Sequence, residues 1–501
     1  MSRLRRIALA SLLALLLLPP SFVLLRGFGL ITPVAALLVA GAALGAVYAA
    51  RAKLAEAADA AFGENRIAFA AWAVTALVAA TLLAGLAAFI VDPSTPRLSV
   101  LPGSGFFSHH SCYTAYHEGA RFAGSAEPNL YAPEPAHRGP RAIDGFNVDD
   151  YYYPPTFLLL PELVRLVARD FLHERMVWYA LGFFSVAAAM LLAARFIGER
   201  AGRIAALLAV VVFLAIPARL ALQVGNFQAI AVAWSVLAMI AFERKRPAVG
   251  GALLAFTMLG KFYPGILLAY LVGARRWRDV AWTLGWCVAY ALLVLLRWGP
   301  KPFDAFVHYT LPRLASGEAF GMLRTFPWTV TINQSIYGIV LKLRMMGLSW
   351  ASFEMASVVS WLYTLAIVVG AMLVGRLQLS RAATVRVWLA FVGLAALRSP
   401  FLPIGYALFA PLWLLTLVAC SLPGRKRLAG AALLALGWGA LGVVLPPEGF
   451  AGHAEVALVV GTLPQLVTLI LYGGVVMSAA RDSRREGPGR AGASLATNGA
   501  V

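Results

Sequence analysis

Between residues 92 and 175 the chain gathers side chains able to do acid–base work: Ser108-His109-His110-Ser111-Cys112, His117, Asp144, Asp149-Asp150 and Tyr151-Tyr152-Tyr153-Pro154-Pro155. A carboxylate set among tyrosines and partly withdrawn from water has its basicity tuned by burial and hydrogen bonding, and can take a proton from a hydroxyl. Asp149 and Asp150 are therefore candidate catalytic residues. His109 and His110 are candidates too, because imidazole changes charge near neutral pH. The plainer expectation for any one loop aspartate is a solvated turn, so the group weighs more than its members. His109, His110, Cys112 and His117 are also ligand types that suit zinc, but their spacing matches no closed four-ligand pattern and one short stretch supplies them all. No metal site and no cofactor are expected.

A second set of polar residues sits at the ends of apolar runs. Lys261 lies in Leu259-Gly260-Lys261-Phe262-Tyr263-Pro264, where two short apolar runs meet, and Arg398 lies in Arg398-Ser399-Pro400. An ionisable group at such depth reads as functional, here as a cation for phosphate, against the plainer reading of a snorkelling side chain. Tyr116, Tyr153, Asn226, Gln228, Asn333 and Gln334 offer ring faces and amides for a sugar or an acceptor. Each amide would serve equally well as a helix cap.

The elements that must position these residues are membrane helices. Of 501 residues, 61% are hydrophobic and 13% charged, and the mean hydropathy is +0.78. Apolar runs of near-spanning length recur at 7–25, 29–50, 67–91, 176–196, 203–219, 226–242, 247–258, 262–274, 279–297, 351–375, 383–397, 401–421, 428–445 and 456–480. The net charge of +19 falls mostly in short connections between these runs, which the positive-inside rule explains without nucleic acid. With the N terminus inside, Arg51/Lys53/Arg66, Arg195/Arg200/Arg203, Arg244/Lys245/Arg246, Arg275/Arg276/Arg278, Arg376/Arg381/Arg386 and Arg425/Lys426/Arg427 all fall on the cytoplasmic side. Segments 92–175 and 298–350 then lie outside, with the turns at Asn226, Lys261 and Arg398. To keep that parity, 155–170 is read as an amphipathic helix on the outer interface, with Arg165, Arg169 and Asp170 toward water. The first run follows Arg3, Arg5 and Arg6 but has no small-residue cleavage site, so it reads as a retained helix. The three cysteines, Cys112, Cys287 and Cys420, offer no disulfide framework.

Taken in order, Tyr116 and Gly119, Asn129-Leu130-Tyr131, Tyr153-Pro154-Pro155-Thr156-Phe157 with Pro161, Gly225-Asn226-Phe227-Gln228, Gly260-Lys261-Phe262-Tyr263-Pro264, Arg275-Arg276-Trp277-Arg278 and Asn333-Gln334-Ser335 resemble glycosyltransferase family 87 over roughly residues 85–420. That family comprises polytopic GT-C-type enzymes and includes bacterial mannosyltransferases that use polyprenyl-phosphate sugars. The resemblance implies inversion at the anomeric carbon and a catalytic acid in the first outer loop, shortly after its leading span. Here the chain departs from the pattern: a few residues before Tyr116 it reads Ser108-His109-His110-Ser111-Cys112, with Asp92 and Glu118 the nearest acids. His109, His110, Asp149 and Asp150 remain as alternatives for the base.

The expectation is an all-α, GT-C-like polytopic membrane helical bundle of about 14 membrane segments, with a large outer loop bearing an interfacial helix. Residues 1–66 form N-terminal membrane helices and a cytoplasmic connection, 67–420 the catalytic core, 421–480 C-terminal membrane helices and 481–501 a disordered cytoplasmic tail. Function is expected to be transfer of a sugar, of mannose-type hexose class, from a polyprenyl-phosphate donor to a lipid or glycan acceptor at the outer face of the cytoplasmic membrane. A transporter or flippase of lipid-linked sugars, or a non-catalytic binder of them, is the alternative. Membrane lipids are partners in either case.

Overall fold

The computed structural model describes residues 3–30, 41–42, 45, 51–63, 65–125, 129–132, 141–422, 427–442, 444 and 453–496. The described residues are 79% helical. In chain order the helices that frame the site are α1 (Arg3–Gly27), α2 (Arg66–Val91), α3 (Tyr113–Ala123), α4 (Leu159–Val167), α5 (Phe171–Ile197), α6 (Glu199–Val212), α7 (Ile216–Val224) and α8 (Gln228–Glu243). They continue as α9 (Pro247–Gly260), α10 (Ile266–Gly273), α11 (Trp277–Trp298), α12 (Ile336–Met345), α13 (Phe353–Gly375), α14 (Arg381–Ala396), α15 (Phe409–Cys420) and α16 (Ala454–Ala496). Among the described residues the sheet content is one antiparallel pair, β1 (Ala142–Ile143) and β2 (Phe146–Asn147), with Ala142 opposite Asn147.

Side-chain caps start several of these helices where the sequence supplies Asn, Asp or Ser. Asn65 accepts from Ala68 N at α2, Asp170 from His173 N at α5, and Ser335, Ser352 and Ser380 cap α12, α13 and α14 in the same way. Each satisfies an amide that the first helical turn leaves without a partner. Packing then relies on small residues, as expected where lipid is as apolar as the side chains. A Cβ on Gly273 would lie 2.0 Å from Met372 O and one on Gly375 2.3 Å from Tyr270 O, so these two glycines let α10 and α13 touch backbone to backbone.

Among the described residues six helices are long and apolar enough to cross a bilayer singly: α1, α2, α5, α11, α13 and α16. A seventh crossing results if α6 and α7, bent by 67° to one another, count as one. Five further apolar helices have 10–17 residues, and at 1.5 Å per residue even the longest rises about 26 Å, short of the ~30 Å hydrocarbon core. Among the described residues, single helices therefore account for six of the fourteen expected crossings and the bent pair for a seventh. The expected span 203–219 is broken at Phe213–Ala215, and Pro217 sits in the first turn of the helix that follows. The expected span 29–50 lies almost wholly outside the described residues. The last helix runs on to Ala496, past residue 481, where the sequence reading expects the chain to lose structure.

The expected interfacial helix is shorter than 155–170. A 3-10 turn, Pro155–Leu158, is buried, and α4 continues from it for nine residues. Phe157 and Leu158 are covered by the bundle, whereas Leu163, Leu166 and Val167 are exposed. Exposed leucines beside Arg165, itself held by Glu162 at 3.3 Å, are what a helix lying in a lipid interface presents.

Candidate active site

Three connections meet at one place: the stretch Ser108–Cys112, the turn Gly225–Phe227 between α7 and α8, and the turn Lys261–Phe262 after α9. The short helix Gly105–His109 is capped by Ser104 and releases the chain at His110. From there His110 pairs with Asn147 in a parallel bridge, and Cys112 N donates to Val224 O at 2.7 Å. Gly225 ends α7 with φ +69°, and a Cβ there would lie 3.1 Å from the Trp178 ring. Only glycine meets both demands, the left-handed backbone and the close ring. The turn it makes points Asn226 at Cys112.

The parallel bridge has a consequence for the acids. It carries the second half of the outer loop back past the first, so that Asp149 Oδ1 lies 3.4 Å from His110 Nδ1. Thr114 Oγ1 donates to Asn147 O at 3.2 Å and accepts from Asp149 N at 3.1 Å, fixing the register. The other imidazole nitrogen, Nε2, faces Cys112 Sγ at 3.6 Å, and the ring stacks on Phe106 with centroids 4.6 Å apart. Asn226 Nδ2 donates to Cys112 Sγ at 3.3 Å, and Lys261 Nζ donates to Asn226 Oδ1 at 3.2 Å. Asp149, His110, Cys112, Asn226 and Lys261 thus form one continuous polar chain. Tyrosines floor it. Lys261 Nζ lies 5.1 Å above the Tyr153 ring, a cation–π distance. Tyr153 OH meets Tyr116 OH at 2.8 Å, and Tyr116 OH accepts from Phe227 N at 3.1 Å.

Charge follows this geometry. Burial alone would push the His110 imidazole down, but the neighbouring Asp149 and Cys112 outweigh it and hold the group well above the usual histidine range. Burial pushes the Lys261 ammonium down to about 8, opposed by Cys112. Burial also raises the Tyr116 and Tyr153 phenols, which stay protonated and act as hydroxyl donors and acceptors. The arrangement offers a partly exposed carboxylate with one oxygen committed to an imidazole, a cation on the same surface, and a wall of hydroxyls.

Residues adjacent in sequence separate in space. His109 is exposed and its Nδ1 meets Gly145 O at 3.0 Å. Asp150 is exposed and accepts from Tyr152 OH at 2.9 Å. His117 binds Glu174 at 2.8 Å, which also accepts from Tyr113 OH, so this histidine anchors α3 to α5. Gln228 N caps back onto Asn226 Oδ1 at 2.9 Å, beside the site. Asn333 and Gln334 are fully buried. Asn333 Oδ1 accepts from Leu402 N and its Nδ2 donates to Pro400 O, while Gln334 Nε2 donates to Gly461 O. Their donors brace the chain around 400–402 against α16. Arg398 lays its guanidinium over the Trp361 ring at 4.7 Å. Sequence reasoning did not single out Thr114, which sets the register of Asp149, or Tyr406, which lies within electrostatic reach of Cys112, Tyr153 and Asp149. A tyrosine inside the apolar run 401–421 was the available signal for the latter. A cleft of about 300 Å³ between Gly124-Ser125 and Arg297–Lys301 shares no residue with this site.

Residues 151–400 match the family model of glycosyltransferase family 87. No curated protein matches the chain. The matched stretch contains Tyr153, Asn226, Lys261 and Arg398 and begins immediately after Asp150, so His110, Cys112 and Asp149 are supplied from outside it.

Proposed function

Because residues 151–400 belong to glycosyltransferase family 87, and the chain is a multi-pass membrane glycosyltransferase, we propose that it moves a mannose-type hexose from a polyprenyl-phosphate donor to a lipid or glycan acceptor. In this reading it is a GT-C enzyme with residues 67–420 as its catalytic core, and its site opens to the outer face of the cytoplasmic membrane. The observation that supports it is Asp149 returning to His110, within the stretch where the family resemblance implies an acid and the local sequence has none.

Asp149 is the base and His110 its positioning residue. Both ring nitrogens of His110 are engaged, by Asp149 and by Cys112, which leaves the carboxylate as the more accessible group. Asp149 takes the proton of the acceptor hydroxyl as that oxygen bonds to the anomeric carbon and the bond from that carbon to the phosphate oxygen breaks. Lys261 receives the charge that develops on the departing lipid phosphate, a role suited to a desolvated ammonium. A monophosphate arriving sideways from the bilayer needs less charge compensation than a nucleoside diphosphate, and one ammonium over a tyrosine ring suits it. Arg398, over Trp361, is a second cation for the same headgroup.

The test is sugar transfer by the purified protein from a panel of polyprenyl-phosphate sugars, in the presence of chelator. Transfer from at least one member is expected. Turnover of a soluble nucleotide sugar, or activity that requires added divalent metal, would overturn the donor assignment. Binding without transfer would favour the flippase or silent-binder alternative.

A further inference from the structure

We propose that His110, Cys112 and Asp149 form a binding site for a thiophilic divalent cation of the zinc class, and that its occupancy withdraws Asp149 from proton transfer. Each residue presents one ligand atom, and the three atoms lie within 4.8 Å of one another. A tetrahedral zinc site with bonds of about 2.0–2.3 Å places its ligand atoms roughly 3.3–3.7 Å apart, so closing on an ion draws the three atoms together by about 1 Å and turns the imidazole, whose Nδ1 faces Asp149 and whose Nε2 faces Cys112, to offer one nitrogen to the shared ion. The backbones are already fixed: Cys112 N on Val224 O, Asp149 N on Thr114 Oγ1 and His110 in its bridge to Asn147.

Donor chemistry selects the ion. An imidazole, a thiol and a carboxylate form a mixed nitrogen, sulfur and oxygen set, which suits zinc and its borderline relatives, whereas magnesium and calcium favour oxygen alone. Binding displaces the thiol proton and the proton on the ligating His110 nitrogen, both released to solvent, and the resulting thiolate with the carboxylate balances the charge of the ion. Three protein ligands leave a fourth position open. Asn226, already 3.3 Å from the sulfur, supplies the outer hydrogen bond that such ligands usually receive, and keeps Lys261 on its far oxygen. Spacing along the chain conceals the set because Asp149 arrives from the far side of the loop, while His109 and His117 are drawn to Gly145 O and Glu174.

Cobalt(II) is the probe. The purified full chain, freed of metal by dialysis against chelator, is titrated with Co2+ and followed by absorbance. The expected result is one equivalent bound, with a thiolate-to-cobalt charge-transfer band that zinc abolishes by displacement. Cys112→Ser should remove the band, Asp149→Asn should weaken cobalt binding by about tenfold or more, and His109→Ala should leave both unchanged. Absence of the band from the parent protein, its survival in Cys112→Ser, or unchanged affinity in a folded Asp149→Asn would overturn the site. No donor or acceptor is present in this titration, so its outcome is separate from that of the transfer assay. In that assay, added zinc should depress turnover and chelator should restore it; zinc bound with no loss of turnover would overturn the regulatory half.

Discussion

At Asp149 one carboxylate oxygen faces the His110 imidazole at 3.4 Å while the backbone amide is held by Thr114, so the side chain is aimed without being enclosed. Asp149→Asn keeps the shape and removes the basic lone pair. We expect it to lower kcat by about 10²-fold or more with donor binding retained, as loss of a general base does, and Asp150→Asn to stay within about twofold in the same steady-state assay. Equal loss in both variants would return the choice to where the sequence left it. Lys261→Ala should raise the donor KM by about tenfold and leave the acceptor KM near its parent value, because a desolvated ammonium contributes most where a phosphate meets it; a change confined to the acceptor would reverse the assignment. The residue types at this site were legible in the sequence, but the choice within each pair was not. Asp149 and Asp150 are neighbours on extended chain, where consecutive side chains leave on opposite sides, and His109 ends a short helix that His110 has already left. Only the bridge between His110 and Asn147 decides which of them face inward.

The turn at Gly225 carries the site at the scale of elements. It ends α7, begins the approach to α8 and aims Asn226 at both Cys112 and Lys261. Gly225→Ala adds a Cβ at φ +69° against Trp178, and should lower stability by roughly 1–3 kcal/mol. The thermal midpoint of the purified variant measures this, and the donor KM should rise with it as Lys261 loses its partner; an unshifted midpoint would mean that the turn relaxes freely. Gly225-Asn226-Phe227-Gln228 stood out in the sequence as an outer turn, because polar residues interrupt an apolar run. The bend between α6 and α7 did not. Its residues, Phe213–Ala215, continue the apolar pattern without a break, and hydropathy reports burial in lipid or protein while saying nothing of whether the helix stays straight. For the same reason the sequence offers Asn333 and Gln334 as ligand-binding amides, although α16, where Gly461 O accepts from Gln334 Nε2 and Gln465 Nε2 donates to Asn333 O, lies more than a hundred residues away.

For the whole molecule, composition and the length of the apolar runs identified a multi-pass helical membrane protein, since runs of about 20 apolar residues cross lipid as helices that satisfy their own backbone amides. The number of crossings was less accessible, because helices of 10–17 residues are apolar enough to count and too short to span. Threading rests on the basic clusters, and cysteine-accessibility labelling checks it. Single cysteines placed near Gly124 and Glu318 should react with an impermeant reagent from outside, and those near Lys245 and Lys426 should not. Labelling at Lys245 with protection at Gly124 would turn the protein over and place the site in the cytoplasm.

The bridge between His110 and Asn147 also separates where a carboxylate is written in the chain from where it stands in the fold. A search for an acid a few residues before Tyr116 passes over this protein, while a search by distance from His110 finds Asp149 at once. Two sequences with acids at different positions can therefore fill the same point in space. Motif matching alone would sort such a pair into active and inactive, although the fold sets both acids at one place.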